Sequence, residues 1–254
     1  MIDIHSHFLP GLDDGAPTEE VALAMLERAA KNGTTHIVGT PHCNAEFEYS
    51  LEKNLALAEK LQEKVGNRIR LMTGCDFHLS YENLEEVMEN AHRYTLNQGN
   101  YLLTEFAHFS IPPHIEDSFL QLRTRELVPI ITHPERIDIL MGERFGLIRQ
   151  LVEMGCAVQI TAGSLTGRFG ERAKQSCFKL LGCRMVHFVA SDAHNVKRRP
   201  PRLNNARRIV AQKYGDEVAQ ALFVDNPRAV IESKPLPYLP EPAEPARKKI
   251  FGIF

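Results

Sequence analysis

Short runs rich in Ile, Val and Leu recur about seven times along 254 residues, and helical apolar spacing separates most of them. The runs fall at residues 2–7, 36–42, 69–77, 101–107, 128–133, 157–162 and 186–191. Between them apolar residues lie three and four apart, as in Val21, Met25, Leu26 and Ala29, in residues 55–61, and in Leu147, Leu151 and Met154. Pro17-Thr18-Glu19-Glu20 reads as a helix start and Gly33 as its stop. Asn32-Gly33, Gly66-Asn67 and Gly99-Asn100 punctuate the pattern. Strands that alternate with helices are brought back to the same end of a sheet each time, so the sheet is parallel and the helices cover it. At this length a closed α/β barrel is the economical form.

No internal repeat or shift of composition marks a second domain before residue 232. The reading is one barrel over residues 1–232 and a Pro-rich arm over residues 233–254. The arm holds five prolines between Lys234 and Pro245, then Arg247-Lys248-Lys249 and an apolar tip at residues 250–254. Such a stretch is extended rather than packed. A frayed tail is its simplest reading, and docking of the tip on a neighbour or on its own barrel is the alternative.

Composition limits the function classes. Apolar residues make up 43% and charged residues 24%, ordinary globular usage. The net charge of −2 recommends neither a nucleic-acid backbone nor an anionic membrane as partner. No apolar run approaches the roughly 18 residues that span a bilayer, and no basic-then-apolar leader opens the chain. Cysteines 43, 75, 156, 177 and 183 are odd in number and lack CxxC spacing, which fits reduced thiols in a cytoplasm.

The chain has 11 histidines and no tryptophan, and the histidines gather where strands end. His5-Ser6-His7 closes the first run; residues two apart on a strand face the same way, so both imidazoles enter one space. Later runs end in Thr40-Pro41-His42, Cys75-Asp76, Thr104-Glu105, His133-Pro134-Glu135-Arg136 and Ser191-Asp192-Ala193-His194, and the first turn adds Asp13-Asp14. His5, His7, Asp14, His42, Asp76, Glu105, His133, Asp192 and His194 are thus nine candidate ligands at the end of the barrel where active sites are built. At roughly four to six ligands per ion, with waters completing the shells, nine side chains fit two or three metal ions. Asp13 is the runner-up to Asp14 as a ligand. Asp3 reads as a partner that orients an imidazole.

Such a site suits in-line displacement at phosphorus. Arg136, and Arg198 or Arg199, stand beside ligands and can grip phosphate. A cysteine-dependent phosphatase needs an arginine six residues after its nucleophile, and those positions hold Tyr49, Tyr81, Ala162, Cys183 and Val189. No GxSxG, GxGxxG or Walker A element occurs. Metal-dependent hydrolysis is the chemistry left.

Asp3-Ile-His5-Ser-His7, Leu12-Asp-Asp14-Gly15, Thr40-Pro-His42, Glu105-Phe106, His133-Pro-Glu-Arg136 and Ser191-Asp192-Ala-His194-Asn195 together resemble the PHP (polymerase and histidinol phosphatase) superfamily. Within it, the Leu-Asp-Asp-Gly turn, Gly155-Cys156, Arg199-Pro-Pro and Phe223-Val-Asp225-Asn226-Pro227 are similar to the bacterial capsule-type tyrosine-protein phosphatases, over about residues 1–232. The resemblance implies a distorted (β/α)₇ TIM-like barrel with two or three divalent ions, usually Mn²⁺, with Fe, Co or Zn admitted by the ligand types. It implies a cytoplasmic enzyme that hydrolyses phosphotyrosine by attack of a metal-bound hydroxide. The substrate implied is the autophosphorylated tail of a bacterial tyrosine kinase that governs exopolysaccharide assembly.

By position, His5, His7 and Asp192 with residue 76 would hold one ion, Glu105 and His133 with residue 76 a second, and Asp14, His42 and His194 a third. Arg136 and Arg199 would bind phosphate. The family generally has Glu where this chain has Asp76; either Asp76 bridges two ions or the second site is weak, with His78 as a substitute ligand. Histidines 36, 92, 108, 114 and 187 take structural readings, and Cys43 is a minor ligand candidate. The competing functions are a histidinol-phosphate or other small phosphomonoester phosphatase, a TatD-like nuclease, and a catalytically silent metal-binding regulatory module.

Overall fold

A computed structural model describes residues 1–106, 111–112 and 114–244. His108 and the 250–254 tip lie outside the described residues. The strands are β1 (Ile2–Ser6), β2 (His36–Gly39), β3 (His42–Cys43), β4 (Arg70–Thr73), β5 (Asp76–His78), β6 (Tyr101–Glu105), β7 (Val128–Thr132), β8 (Ala157–Thr161) and β9 (Phe188–Ala190). The principal helices that follow them are α1 (Glu19–Lys31), α2 (Leu51–Val65), α3 (Tyr81–Asn90), α4 (Ile115–Thr124), α5 (Phe145–Glu153), α6 (Gly170–Gly182), α7 (Asn204–Tyr214) and α8 (Asn226–Ile231). All strand pairings are parallel, in the orders β1-β2-β4 and β3-β5-β6-β7-β8-β9.

The second and third predicted strands each break in two. The break at Thr40-Pro41 falls where proline has no N–H to donate; the break at Gly74-Cys75 falls where a Cβ on Gly74 would lie 2.6 Å from Leu96 Cδ2. Hydrogen bonds nevertheless run through both gaps, from Thr40 N–H to Ser6 O (2.9 Å), Gly74 N–H to Gly39 O (2.9 Å) and Asp76 N–H to Pro41 O (3.0 Å). The ends meet as well: Asp192 N–H donates to His5 O (2.9 Å) and His7 N–H to Ala193 O (2.8 Å). Seven strand positions therefore form a distorted barrel, with β1 joined to the end of β9 only near the carboxyl ends.

The packing has the layering of such a barrel. One cluster takes Ile4 from β1, Val38 from β2, Leu103 from β6, Ile130 from β7, Ala157 from β8 and Phe188 from β9, with Val230 and Ile231 of α8 against it. The strands thus share one apolar interior, as a barrel layer does. Outside the strands, Ile37 and Leu71 pack under α1 and α2 through Met25, Leu26, Ala58 and Leu61. Helix α1 begins as its sequence demands: Thr18 Oγ1 accepts from Val21 N–H, Glu19 and Glu20 occupy the positive end, and Gly33 at φ +86° ends the turn.

The described part of the arm is extended but held. Tyr101 Oη donates to Lys234 O (2.6 Å), Asn226 exchanges two hydrogen bonds with the backbone of Tyr238, and Ala243 N–H donates to Cys183 O. A frayed tail is therefore not the structure over these residues. Asn226 also donates to His187 O (3.1 Å), so the Asp225-Asn226-Pro227 segment fastens the arm to the end of the barrel.

His187 has the structural role expected of it. Its Nδ1 accepts from Val158 N–H (3.1 Å), and burial holds its pKa down at about 4. The folded protein thus prefers neutral His187, and the stabilisation is complete above the unfolded value near 6.5 and lost as pH falls toward about 4. At about 1.4 kcal/mol per pKa unit the loss is on the order of 3 kcal/mol. Urea melts at about pH 7 and about pH 4.5 should show a steeper loss in the native chain than in a His187→Gln variant, in which the amide oxygen replaces the acceptor. Equal losses would remove His187 as the source.

Candidate metal centre

All nine expected ligands converge at the carboxyl ends of the strands. They form four overlapping groups, within each of which one ligand atom per residue lies within 4.8 Å of the others: His7, Asp14, His42 and His194; His5, His7 and Asp192; His5, Asp76 and His133; His42, Asp76 and Glu105. Among the described residues no other His, Cys, Asp or Glu joins such a group. The groups cut across the three sets implied by resemblance, because His5, His7 and His42 each belong to two.

The strands place these side chains. His5 lies in β1, whose pairing with β2 shifts register between Asp3 and Ser6, and His7 follows at its end. His42 and Asp76 are cross-strand partners in β3 and β5. Glu105 ends β6. His133, at φ +36°, and Asp192, at φ +49°, stand just past β7 and β9 in left-handed turns. Gly15 allows the first loop to fold back on β1, since a Cβ there would lie 2.2 Å from His7 O.

Asp76 is fully buried, and its Oδ2 lies 3.3 Å from His5 Nε2 and 3.2 Å from His42 Nδ1, while neither carboxylate oxygen makes a hydrogen bond. Glu105 lies 3.4 Å from His133 Nε2 and 3.4 Å from His42 Nδ1. Asp14 Oδ1 lies 3.2 Å from His194 Nε2 and 3.5 Å from His42 Nε2. With 54% of its side chain exposed, Asp14 marks the open side of the centre.

Two imidazoles are held in a defined tautomer. His5 Nδ1 donates to Gln159 Oε1 (2.8 Å) and His7 Nδ1 to Asp13 Oδ2 (2.6 Å). Their Nε2 atoms are then left facing each other at 3.2 Å, an arrangement that calls for a cation or a single proton between two lone pairs. Asp13 also accepts from Gly15 N–H (2.9 Å) and His42 N–H (3.1 Å), so it braces His7, its own turn and β3. Asp13 thus orients His7 and joins no candidate ligand group. Asp3 is not one: its Oδ1 accepts from Ser191 N–H (2.9 Å), and burial raises its pKa to about 6. Gln159, the lone amide in an apolar strand, does what was expected of Asp3.

The electrostatics favour cations. Burial works against ionised Asp76, but His5 and His42 hold it well below the usual carboxylate range. Burial works against Asp192 too, and Arg136 and Arg199 hold it ionised. Burial alone would lower His5, but Asp76 and Asp192 raise it to about 9. His7, buried and 3.9 Å ring to ring from His194, is pushed down to about 4. Buried carboxylates without hydrogen bonds, facing imidazoles that cannot all carry protons, are costly unless something positive binds among them. Nitrogen and oxygen donors without sulfur admit Mn, Fe, Co or Zn. The residues fit divalent metal ions.

The two arginines frame Asp192. Arg136 Nη2 meets Oδ2 and Arg199 Nη2 meets Oδ1, both at 2.7 Å, and the Nε of each guanidinium is buried without a hydrogen-bond partner. Arg198 is exposed and makes no such contact. The ring of Phe169 packs under both guanidinium groups, 5.0 Å from Arg136 and 5.8 Å from Arg199. Glu135 Oε1 accepts from Thr161 N–H and Ser164 Oγ, which fixes the turn carrying Arg136. Nothing in the sequence singled out Phe169 or Glu135 for these roles.

His78 pairs in register with Glu105 but joins no candidate group, and Cys43 joins none either. His36 meets Thr35 Oγ1, His92 meets Gly99 O, and His114 begins α4 in a left-handed turn.

Comparison with known proteins gives a consistent set. Residues 1–232 match the family described as "Capsular polysaccharide synthesis, CpsB/CapC". The chain is 32% identical over 259 residues to the tyrosine-protein phosphatase YwqE of Bacillus subtilis, covering all of both chains. It is 34% identical over 240 residues to the tyrosine-protein phosphatase CpsB of Streptococcus pneumoniae, covering 91% of this chain and 98% of that one. A crystal structure from work on YwqE and CpsB, described as unique metal-dependent tyrosine phosphatases, superposes with a TM-score of 0.87 at 32% identity over 96% of this chain and 100% of that one.

Proposed function

The chain belongs to the CpsB/CapC family, and from that membership and the geometry of its metal centre we propose that it is a metal-dependent protein-tyrosine phosphatase. The observation that carries the proposal is the convergence of nine nitrogen and oxygen ligands beside two guanidinium groups whose Nε donors are unmatched. Metal ions bound by His5, His7, Asp14, His42, Asp76, Glu105, His133, Asp192 and His194 would supply a nucleophile from water near neutral pH and neutralise phosphoryl charge. Asp76, the one carboxylate that belongs to two of these groups, would be shared between ions. Asp13 and Gln159 keep His7 and His5 turned with Nε2 toward the ions. Arg136 and Arg199 hold Asp192 ionised, and their guanidinium groups, partly exposed beside it, would donate further N–H bonds to the phosphate oxygens. No cysteine takes part: all five are buried, burial raises Cys75, Cys156, Cys177 and Cys183, and Cys43, lowered by its contact with Cys75, joins no ligand group.

Manganese is our reading of the native ion, and a phosphorylated bacterial tyrosine kinase in capsular or exopolysaccharide synthesis our reading of the partner; the family's description supports the capsular setting. A cytoplasmic location fits five free thiols, and among the described residues no helix is long and apolar enough to cross a membrane.

The test is phosphate release from a phosphotyrosyl peptide by metal-stripped protein, with and without Mn²⁺. Release should appear only when metal is restored. Folded, metal-loaded protein that releases nothing from the peptide but acts on histidinol phosphate or an oligonucleotide would overturn the proposal in favour of that substrate. Inactivity on all three would leave the silent module.

A further inference from the structure

We propose that Arg168, Lys197, Arg198 and Arg202 form a basic subsite beside the metal centre that binds acidic side chains flanking the phosphotyrosine of a peptide; the inference rests on the phosphotyrosine reading above. Residues 197–202 read Lys-Arg-Arg-Pro-Pro-Arg, and of these cations only Arg199 is engaged by Asp192. Lys197, Arg198, Arg202 and Arg168 are exposed, and among the described residues none of them has an ion-pair partner. In a chain of net charge −2 this is a local excess of positive charge, and it borders the residues assigned to phosphate.

The loop is shaped before any ligand arrives. Asn195 Oδ1 accepts from the N–H groups of Lys197 (3.1 Å), Arg198 (2.7 Å) and Arg199 (3.1 Å). Arg168 Nη1 donates to Arg198 O (3.1 Å) and Lys197 O (3.4 Å), and Pro200 and Pro201 restrict the backbone beyond. A small cleft of about 50 Å³, lined by Arg168, Phe169, Arg199 and Arg202 among others, sets two of these cations beside Arg199. A phosphotyrosine held at Arg199 therefore carries its neighbouring residues, spaced about 3.3 Å along an extended chain, past the unpaired cations. Carboxylates there relieve the mutual repulsion of those cations, whereas neutral side chains cannot. Each exposed pair is weak and screened by salt, so the gain comes from several together.

The experiment compares two Mn²⁺-loaded proteins, the native chain and Lys197→Ser/Arg198→Ser/Arg202→Ser, on phosphotyrosyl peptides that differ only in Glu or Gln at the flanking positions. At about 50 mM salt the native chain should prefer the Glu peptide by roughly tenfold in kcat/KM, through KM, and the preference should shrink at about 300 mM. The triple variant should lose the preference while turning over the Gln peptide at the native rate. No preference in the native chain, or a preference that survives in the variant, overturns the subsite. So does an equal loss on both peptides, which would make the loop part of the fold or the chemistry. Competition by an oligonucleotide without any peptide preference would reassign the patch to nucleic acid. Failure of the native chain on both peptides would instead sink the phosphotyrosine reading itself.

Discussion

Asp76→Ala should lower turnover of a phosphotyrosyl peptide by about 10³-fold or more, with fewer ions bound per chain, because among the described residues this carboxylate alone lies within reach of His5 and His42 at once. The side chain has no hydrogen bond and no exposure, so nothing but ions and imidazoles is there to use its charge. Ala leaves His5 with Asp192 and His42 with Glu105 and Asp14 as remaining counter-charges, so a well-folded but metal-poor protein is the expected product. Asp76→Glu is the sharper comparison, since the family resemblance would supply Glu at this position. The pocket is closed around Asp, and an added methylene in a packed site costs about 1–3 kcal/mol unless the backbone yields. The Glu variant should therefore be less stable and about tenfold less active than the native chain, yet far more active than Ala. Metal content by elemental analysis, thermal unfolding and kcat on one peptide decide the matter. Native-like turnover by Asp76→Ala would remove Asp76 from the centre.

Arg136→Ala and Arg199→Ala should each reduce kcat/KM by about 10²- to 10³-fold, the usual consequence of losing a donor aimed at developing charge. Both also hold Asp192, one on each oxygen at 2.7 Å, so the two effects should not add: the double variant loses less than the product of the single losses. Lysine should rescue neither position by more than about tenfold, because a point charge cannot hold a carboxylate oxygen and present a second planar N–H at the same time. An increase in KM alone, with kcat unchanged, would assign them to substrate capture rather than to the transition state. Variants that keep full activity but bind less metal would show that their work ends at Asp192.

The outcome at each position follows from the distance over which its cause acts. The helix start at Thr18 and its stop at Gly33 were legible because capping is local. The parallel barrel was legible because alternation of periods constrains topology. The nine ligands were legible because parallel strands deliver every strand end to one face, so their residue types could be read without knowing the distances between them. Pro41 was visible, but its effect, a strand broken while the ladder continues through Pro41 O, depends on the neighbour that supplies Asp76 N–H.

The sequence by itself determined the fold class, the end of the barrel that carries the site, and the kinds of donor gathered there, since these depend on periodicity and on residue type. Only the tertiary structure decided which groups share neighbours. It places His5, His7 and His42 in two groups each, gives the orienting of His5 to Gln159 and not to Asp3, makes Asp13 a brace, turns Arg199 rather than Arg198 onto Asp192, and sets Phe169 beneath both arginines. Most of these are contacts between residues far apart in the chain, and the nearer ones, His7 with Asp13 and Asp192 with Arg199, are set by loop turns such as the one at Asn195; barrel packing and those turns are recorded in no local pattern.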